Sequence, residues 1–201
     1  MVKPDIAVIT NIGDAHIENL GGTRQGTLKA KCEIFENLKK GGVAVLNGDD
    51  ELLKDLDLPF ETLLCGKGDN CTVRVSNVVS MGVRGVTCTV TTPKDVYDVD
   101  IPHPGTYMLY PVSMAIAIGE RLGMRKDEIM RGISDYRPVG SRMHVIYGAG
   151  RRIVLDDCYN ANPQSMATAL KILSETAADR HLAVLGDMGE LGELTEKAHR
   201  D

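Results

Sequence analysis

Pro4-Asp5-Ile6-Ala7-Val8-Ile9-Thr10 is a nearly continuous apolar run, suited to a strand buried on both faces. The residues that follow complete a unit. A polar loop covers 11–26 and contains Gly21-Gly22. A helix is expected over about 27–40, stopped by Gly41-Gly42 as helix C-termini usually are, and 43–46 is a second short buried strand. Strand, loop, helix and strand in that order are the grammar of a parallel sheet, so the fold class is α/β.

Beyond this unit the texture changes. Thr, Val and Cys alternate with polar residues in 72–78, 86–91 and 96–101, between Gly and Pro turns, which predicts antiparallel strands. Helices are expected over about 107–122 and 126–134. Pro138-Val139-Gly140-Ser141 then reads as a hinge, dividing the chain into units 1–138 and 141–201. The second unit should open with a hairpin, 145–147 and 153–155, joined at Gly148-Ala149-Gly150. A helix follows from Pro163, with Asn162 as its N-cap and Met166, Ala169, Leu170, Leu173 and Ala177 along one face. A strand at 182–185 and the start of a helix near Leu194 complete the reading. The last helix is cut at Asp201, so this unit is expected to be unfinished.

Composition narrows the function. The 201 residues carry 23 basic and 28 acidic side chains, a net charge of −5, which gives no overall attraction to nucleic acid or anionic lipid. Trp is absent and aromatics make up 4%, so no stacking platform for single strands is visible. The five cysteines form no CxxC pair and read as free thiols of a reducing cytoplasm. No apolar run approaches the ~20 residues needed to span a membrane, and the first residues read as a strand rather than a leader. No GxGxxG follows a strand, which argues against a dinucleotide-binding oxidoreductase.

Two local features bear on chemistry. At about 100° per residue, Leu28, Cys32, Phe35 and Leu38 share one side of the 27–40 helix, and Lys31 falls within that stripe. One reading keeps its stem on apolar surface and its head in water. In the other, burial disfavours the ammonium, and the neutral amine reacts with carbon dioxide to give a carbamate, a carboxylate-like ligand for Mg²⁺. Asp14-Ala15-His16 lies in the loop after the first strand, where open α/β sheets bind ligands. His16 could meet a metal or phosphate with help from Asp14 or Glu18, or it could simply be solvated.

Longer stretches carry a resemblance. Residues 5–16, Ala30-Lys31-Cys32-Glu33-Ile34-Phe35 and Asn47-Gly48-Asp49-Asp50 resemble the second half of the Mur ligase central ATPase domain. Ser141-Arg142-Met143, Asp156-Asp157-Cys158-Tyr159-Asn160-Ala161-Asn162-Pro163 and Leu185-Gly186-Asp187-Met188-Gly189-Glu190-Leu191-Gly192, with His199 after it, resemble the start of the family's Rossmann-like C-terminal domain. They are most similar to its D-alanyl-D-alanine-adding branch. The resemblance implies an ATP-dependent amide-bond ligase of peptidoglycan precursor synthesis, cytoplasmic and monomeric, with UDP-MurNAc-tripeptide and D-Ala-D-Ala as substrates. Neither nucleic acid nor membrane insertion is implied. His16 and a carbamylated Lys31 would hold Mg²⁺, and Arg142 would reach the ATP γ-phosphate. Asn47, Tyr107, Asp157 and Asn160 would help seat ATP.

The sequence also departs from the family pattern. A Gly-Lys-Thr/Ser phosphate loop is absent from these residues, so this chain alone is expected to be inactive. Where the branch usually carries His, Asn and Asn at the helix that contacts adenine, this chain has Tyr107, Met108 and Pro111, and Cys158 replaces a usual Ser. A non-catalytic or divergent homologue that binds nucleotide or peptide remains the alternative.

Overall fold

The structure is a computed structural model and describes residues 2–13, 17–192 and 195–200. Four strands run parallel: β1 (Ile6–Ile9), β2 (Val43–Asn47), β3 (Glu61–Gly66) and β4 (Val73–Ser80). Then β5 (Val86–Thr91) pairs antiparallel with β4, and β6 (Val96–Ile101) pairs antiparallel with β5. The parallel and antiparallel strands expected from the sequence are joined in one six-stranded sheet ordered β1-β2-β3-β4-β5-β6. They join through β3, which the sequence reading does not include, and β4, expected to be antiparallel, which pairs parallel with β3.

Burial follows what covers each face. On one side of the sheet Ala7, Ile9, Ala44 and Leu46 pack with Phe35, Leu38 and Leu53. On the other, Val43, Val45, Cys65, Val73 and Val75 pack under α2 (Leu109–Arg121), whose Val112, Ile116 and Ala117 point inward. That helix lies over β2, β3 and β4. As a result β2 is buried along its whole length, whereas Ile6 and Val8 of the edge strand β1 stay half-covered. The two-sided burial expected of the first strand is thus realised by the second. Next, α3 (Lys126–Ser134) begins where Arg125 N donates to Glu128 Oε2 at 2.8 Å, and its acidic Asp127 and Glu128 suit the first turn.

The helix expected over 27–40 is different in kind. Its α-helical part, α1 (Arg24–Cys32), starts earlier, capped by Thr23 Oγ1 accepting from Gly26 N at 3.1 Å. From Glu33 to Asn37 it tightens into a 3-10 turn. In a 3-10 turn side chains three apart eclipse, so Phe35 stays over Cys32, and Leu28, Cys32, Phe35 and Leu38 pack in one cluster that shifts off Lys31. Phe35 and Leu38 are buried, and Lys31 is exposed instead of embedded among them.

After α3 the chain runs without helix or strand to a hairpin of β7 (His144–Tyr147) and β8 (Ile153–Asp156), then α4 (Pro163–Glu175) and α5 (Thr195–Arg200). The strand expected at 182–185 does not form, and Val184 is fully exposed. No described strand lies beside it, and an unpaired strand gains no hydrogen bonds over water. The packed face of α4 is also turned from the expected one. Ile172 is its buried residue, Leu170 is exposed, and Ala177 lies past the end. The cause is tertiary: α4 leans on the Gly82–Arg84 turn and on Gly105, and Ser80 Oγ donates to Glu175 Oε2 at 2.8 Å.

The start of α4 is held by a reciprocal cap. Ser165 N donates to Asn162 Oδ1 at 2.9 Å, and Asn162 N donates to Ser165 Oγ at 3.1 Å. Asn162→Ala is expected to cost about 1 kcal/mol, measured as a lower urea midpoint with an unchanged m-value.

Candidate functional site

The first cluster sits where β1 and β2 end. Asn47 is buried, and its amide is used at both ends: Nδ2 donates to Thr10 O at 3.0 Å, and Oδ1 accepts from Asp49 N at 2.9 Å. Asp50 accepts from Ile12 N at 2.7 Å and from Leu52 N at 3.0 Å. Arg24 crosses from α1 to donate twice to Ile12 O, at 3.1 and 2.9 Å. Lys31 completes the corner, its Nζ donating to Asn11 O at 2.8 Å. The loop leaving β1 is therefore clamped from β2 and from α1 together.

Lys31 is exposed as a side chain, yet its amine end is packed against this loop. That desolvation lowers its pKa, and the nearby Asp50 carboxylate works in the opposite sense. His16 and Asp14 lie outside the described residues, as does the side chain of Glu18. Among the described residues no three His, Cys, Asp or Glu gather as a metal set.

The second cluster joins the end of β6 to the segment that follows α3. Gly105 has φ 99°, and a Cβ there would stand 2.5 Å from Tyr107 Cε1, so the Tyr107 ring lies directly on a glycine. The ring borders a cleft of about 240 Å³ lined by Lys67, Thr106, Tyr107, Tyr110, Lys171 and Glu175. Asp49 shapes one wall, accepting from Lys67 N and Gly68 N, each at 2.8 Å, and from Tyr110 Oη at 3.1 Å. Of the other departures, Met108 is buried and Pro111 is exposed, and neither side chain can donate or accept a hydrogen bond as an amide would.

Behind Tyr107 lies Arg142, its guanidinium 4.0 Å from the centroid of the Tyr159 ring. Asp157 accepts from Met143 N at 2.9 Å. Burial raises the Asp157 pKa, Asp156 adds to the rise, and Met143 N–H, Arg142 and His103 oppose it. The neighbouring Asp156 is lowered by hydrogen bonds from the side chains of Cys158 and Ser141. Asn160 points locally, its Oδ1 accepting from Ala161 N at 3.0 Å.

The structure thus brings Tyr107, Arg142 and Asp157 to one junction and keeps Lys31 and Asn47 at the other corner. The link between corners is α4: a Cβ placed on Gly13 would stand 3.0 Å from Gln164 Oε1. Participants not read from the sequence include Arg24, Lys67, His103, Tyr136 and the Lys171–Glu175 edge of α4. His103 had one available signal, its place two residues before Gly105 in the segment that departs from the family pattern.

Comparison with known proteins agrees with this layout. Residues 1–119 match the Mur ligase middle domain, and residues 141–201 match the Mur ligase, glutamate ligase domain. The UDP-N-acetylmuramoyl-tripeptide--D-alanyl-D-alanine ligase of Bacillus subtilis (strain 168) is 32% identical over 202 residues, covering 100% of this chain and 43% of its own. Its Escherichia coli (strain K12) counterpart is 31% identical, covering 99% and 44%. MurF from Acinetobacter baumannii superposes with a TM-score of 0.88 at 28% identity, over 100% of this chain and 44% of that one. MurF ligase from Thermotoga maritima in complex with ADP gives a TM-score of 0.85 at 26% identity, over 99% and 45%. The chain therefore spans under half the length of the relatives it matches. With its parallel strands, clamped β1 loop and Arg142–Asp157 junction all lying inside the matched segments, this chain belongs to the Mur ligase family.

Proposed function

We propose that this chain supplies the nucleotide-facing middle of an ATP-dependent ligase that adds D-alanyl-D-alanine to UDP-MurNAc-tripeptide. The observation that carries the reading is the convergence of Tyr107, Arg142 and Asp157 from both matched segments on one cleft-side junction. ATP would phosphorylate the tripeptide carboxylate. The amine of D-Ala-D-Ala would then attack the acyl phosphate, and phosphate would leave. Such chemistry rests mainly on positioning and charge neutralisation.

Tyr107 offers a ring face to adenine, and Lys67 and Lys171 border the same cleft. Arg142 rests on Tyr159, a contact worth only about 0.5–1 kcal/mol at an exposed site. It can leave that ring for the γ-phosphate as the two units close. Asp157 anchors Met143 and so fixes where Arg142 starts, while Asn160 stands in the same turn. Asn47 acts through the loop it braces, since its own amide is already engaged.

The Lys31 corner fits a magnesium site in one respect. An ammonium cannot ligate a cation, but packing lowers the pKa of this amine. Once deprotonated, it can add carbon dioxide with release of a proton to water, giving carbamate oxygens, the hard donors Mg²⁺ prefers. Carbamylated Lys31 and His16 would hold the ion, whose chemistry when bound is to offset phosphate charge. The protein is read as a cytoplasmic monomer; no described helix is long and apolar enough to cross a membrane.

A second reading, a binding module without turnover, draws support from Met108 and Pro111, whose side chains cannot hydrogen-bond as amides do. The two separate experimentally. The chain alone is expected to bind ADP by calorimetry and to release no phosphate from ATP. A chimaera, with this chain replacing the matching 43% of the Bacillus subtilis ligase, is expected to release phosphate only with both substrates present. ADP binding without chimaera turnover would favour the binding module, and failure to bind ADP together with a silent chimaera would remove the nucleotide-facing reading.

A further inference from the structure

His103 is a buried histidine that the reaction above does not use. Only 3% of it is exposed. Its Nδ1 lies 3.0 Å from Pro104 O and 3.3 Å from Tyr107 Oη, and its ring meets Tyr107 and Tyr136 edge-on, with centroids 5.9 and 5.8 Å away. The Arg142 main chain also accepts a hydrogen bond from the imidazole, and Asp157 acts on it through charge. Residues from the end of β6, the segment after α3, and the turn after β8 therefore all face one ring.

We propose that His103 is a positioning residue that ties Tyr107, on the cleft, to the backbone of Arg142. The proposal rests on the reading of that cleft as a nucleotide site. The chemistry is a question of which nitrogen carries the proton. Two carbonyls face the ring, and a neutral imidazole can donate to only one. The Tyr107 hydroxyl is the one donor among these groups able to fill the Nδ1 lone pair. When it does, the remaining N–H goes to Arg142. When Tyr107 turns toward a ligand, Nδ1 is released to donate to Pro104, and Arg142 loses its partner. A ligand that draws the Tyr107 hydroxyl away from His103 is thereby felt at the arginine's main chain, beside the Met143 N–H that Asp157 holds. Burial favours the neutral ring, which keeps this choice of tautomer open at neutral pH.

The test is an NMR titration of the whole chain, following the His103 ring and the amide of Met143. Both are expected to titrate together, at a midpoint below the usual histidine range. Tyr107→Phe should raise that midpoint by about 0.5–1 unit, because a hydrogen bond that favours the neutral ring is lost. His103→Gln, which keeps a donor and an acceptor, should preserve the Met143 shift, whereas His103→Leu should move it. A Met143 amide that ignores the His103 titration overturns the proposal, and needs no variant to be seen. Added ADP separates this from the parent reading. Shifts at Thr106 and Lys171 with none at Met143 overturn the coupling and leave the nucleotide site standing. A cleft silent to ADP, with the acid titration intact at Met143, sinks the nucleotide reading and leaves the coupling supported.

Discussion

Lys31→Ala in the Bacillus subtilis chimaera is expected to lower D-Ala-D-Ala-dependent phosphate release by about 100-fold to 1,000-fold, the range for removing one group that offsets transition-state charge. Stability should change little. Lys31 is exposed and makes one hydrogen bond, to Asn11 O at 2.8 Å, and such a bond contributes about 1 kcal/mol. Loss of rate without loss of fold is the signature of a group that acts on the substrates. Added bicarbonate should not rescue the variant, because alanine has no amine to carbamylate. Full activity in Lys31→Ala would end the carbamate proposal, and an equal fall in rate and in urea midpoint would make Lys31 a structural clamp.

Gly85→Ala is the substitution expected to damage the fold most. Gly85 has φ 111° and ψ −156°, a region open almost only to glycine. A Cβ there would also overlap the Ile101 carbonyl oxygen and come 3.2 Å from His103 N. Backbone cannot move aside as a flexible side chain can, so strain and overlap together should cost about 3 kcal/mol or more. This turn precedes β5 and carries Gly82, against which the end of α4 packs. Urea unfolding should show the lower midpoint, and ADP affinity should fall with it as α4 loosens. A midpoint within about 0.5 kcal/mol of the parent, the usual range for an innocuous surface change, would contradict this description of the corner.

What could be read in advance followed local rules. The register of α3 and the Asn162-Pro163 start of α4 were legible because caps and first-turn residues are set by groups within a few positions of one another. The alternating strands β5 and β6 were legible for a similar reason, since one face is buried and the other is wet. The misses were tertiary. Nothing local reports that the chain tightens after Cys32, so the apolar stripe of Leu28, Cys32, Phe35 and Leu38 is legible but the place of Lys31 outside it is not. Leu182 to Leu185 has strand-like residues but no described partner to pair with. The face of α4 was misjudged because Gly105 and the Gly82–Arg84 turn, far back in the chain, choose Ile172. Of the groups that meet at the junction, Arg142 and Asp157 stand in contiguous motifs and could be singled out in advance, whereas His103 could not, because a lone histidine gains its meaning only from Tyr107, Tyr136 and Arg142 around it.

The central claim is that this stretch of chain helps join an activated carboxylate to the amine of a D-alanyl dipeptide. Phosphate release by the chimaera, with ATP and UDP-MurNAc-tripeptide present and D-Ala-D-Ala added or withheld, addresses it most directly. The account predicts release that requires the dipeptide and yields one amide product per phosphate. Release that continues unchanged without the dipeptide, or is supported equally by a single amino acid, would contradict it.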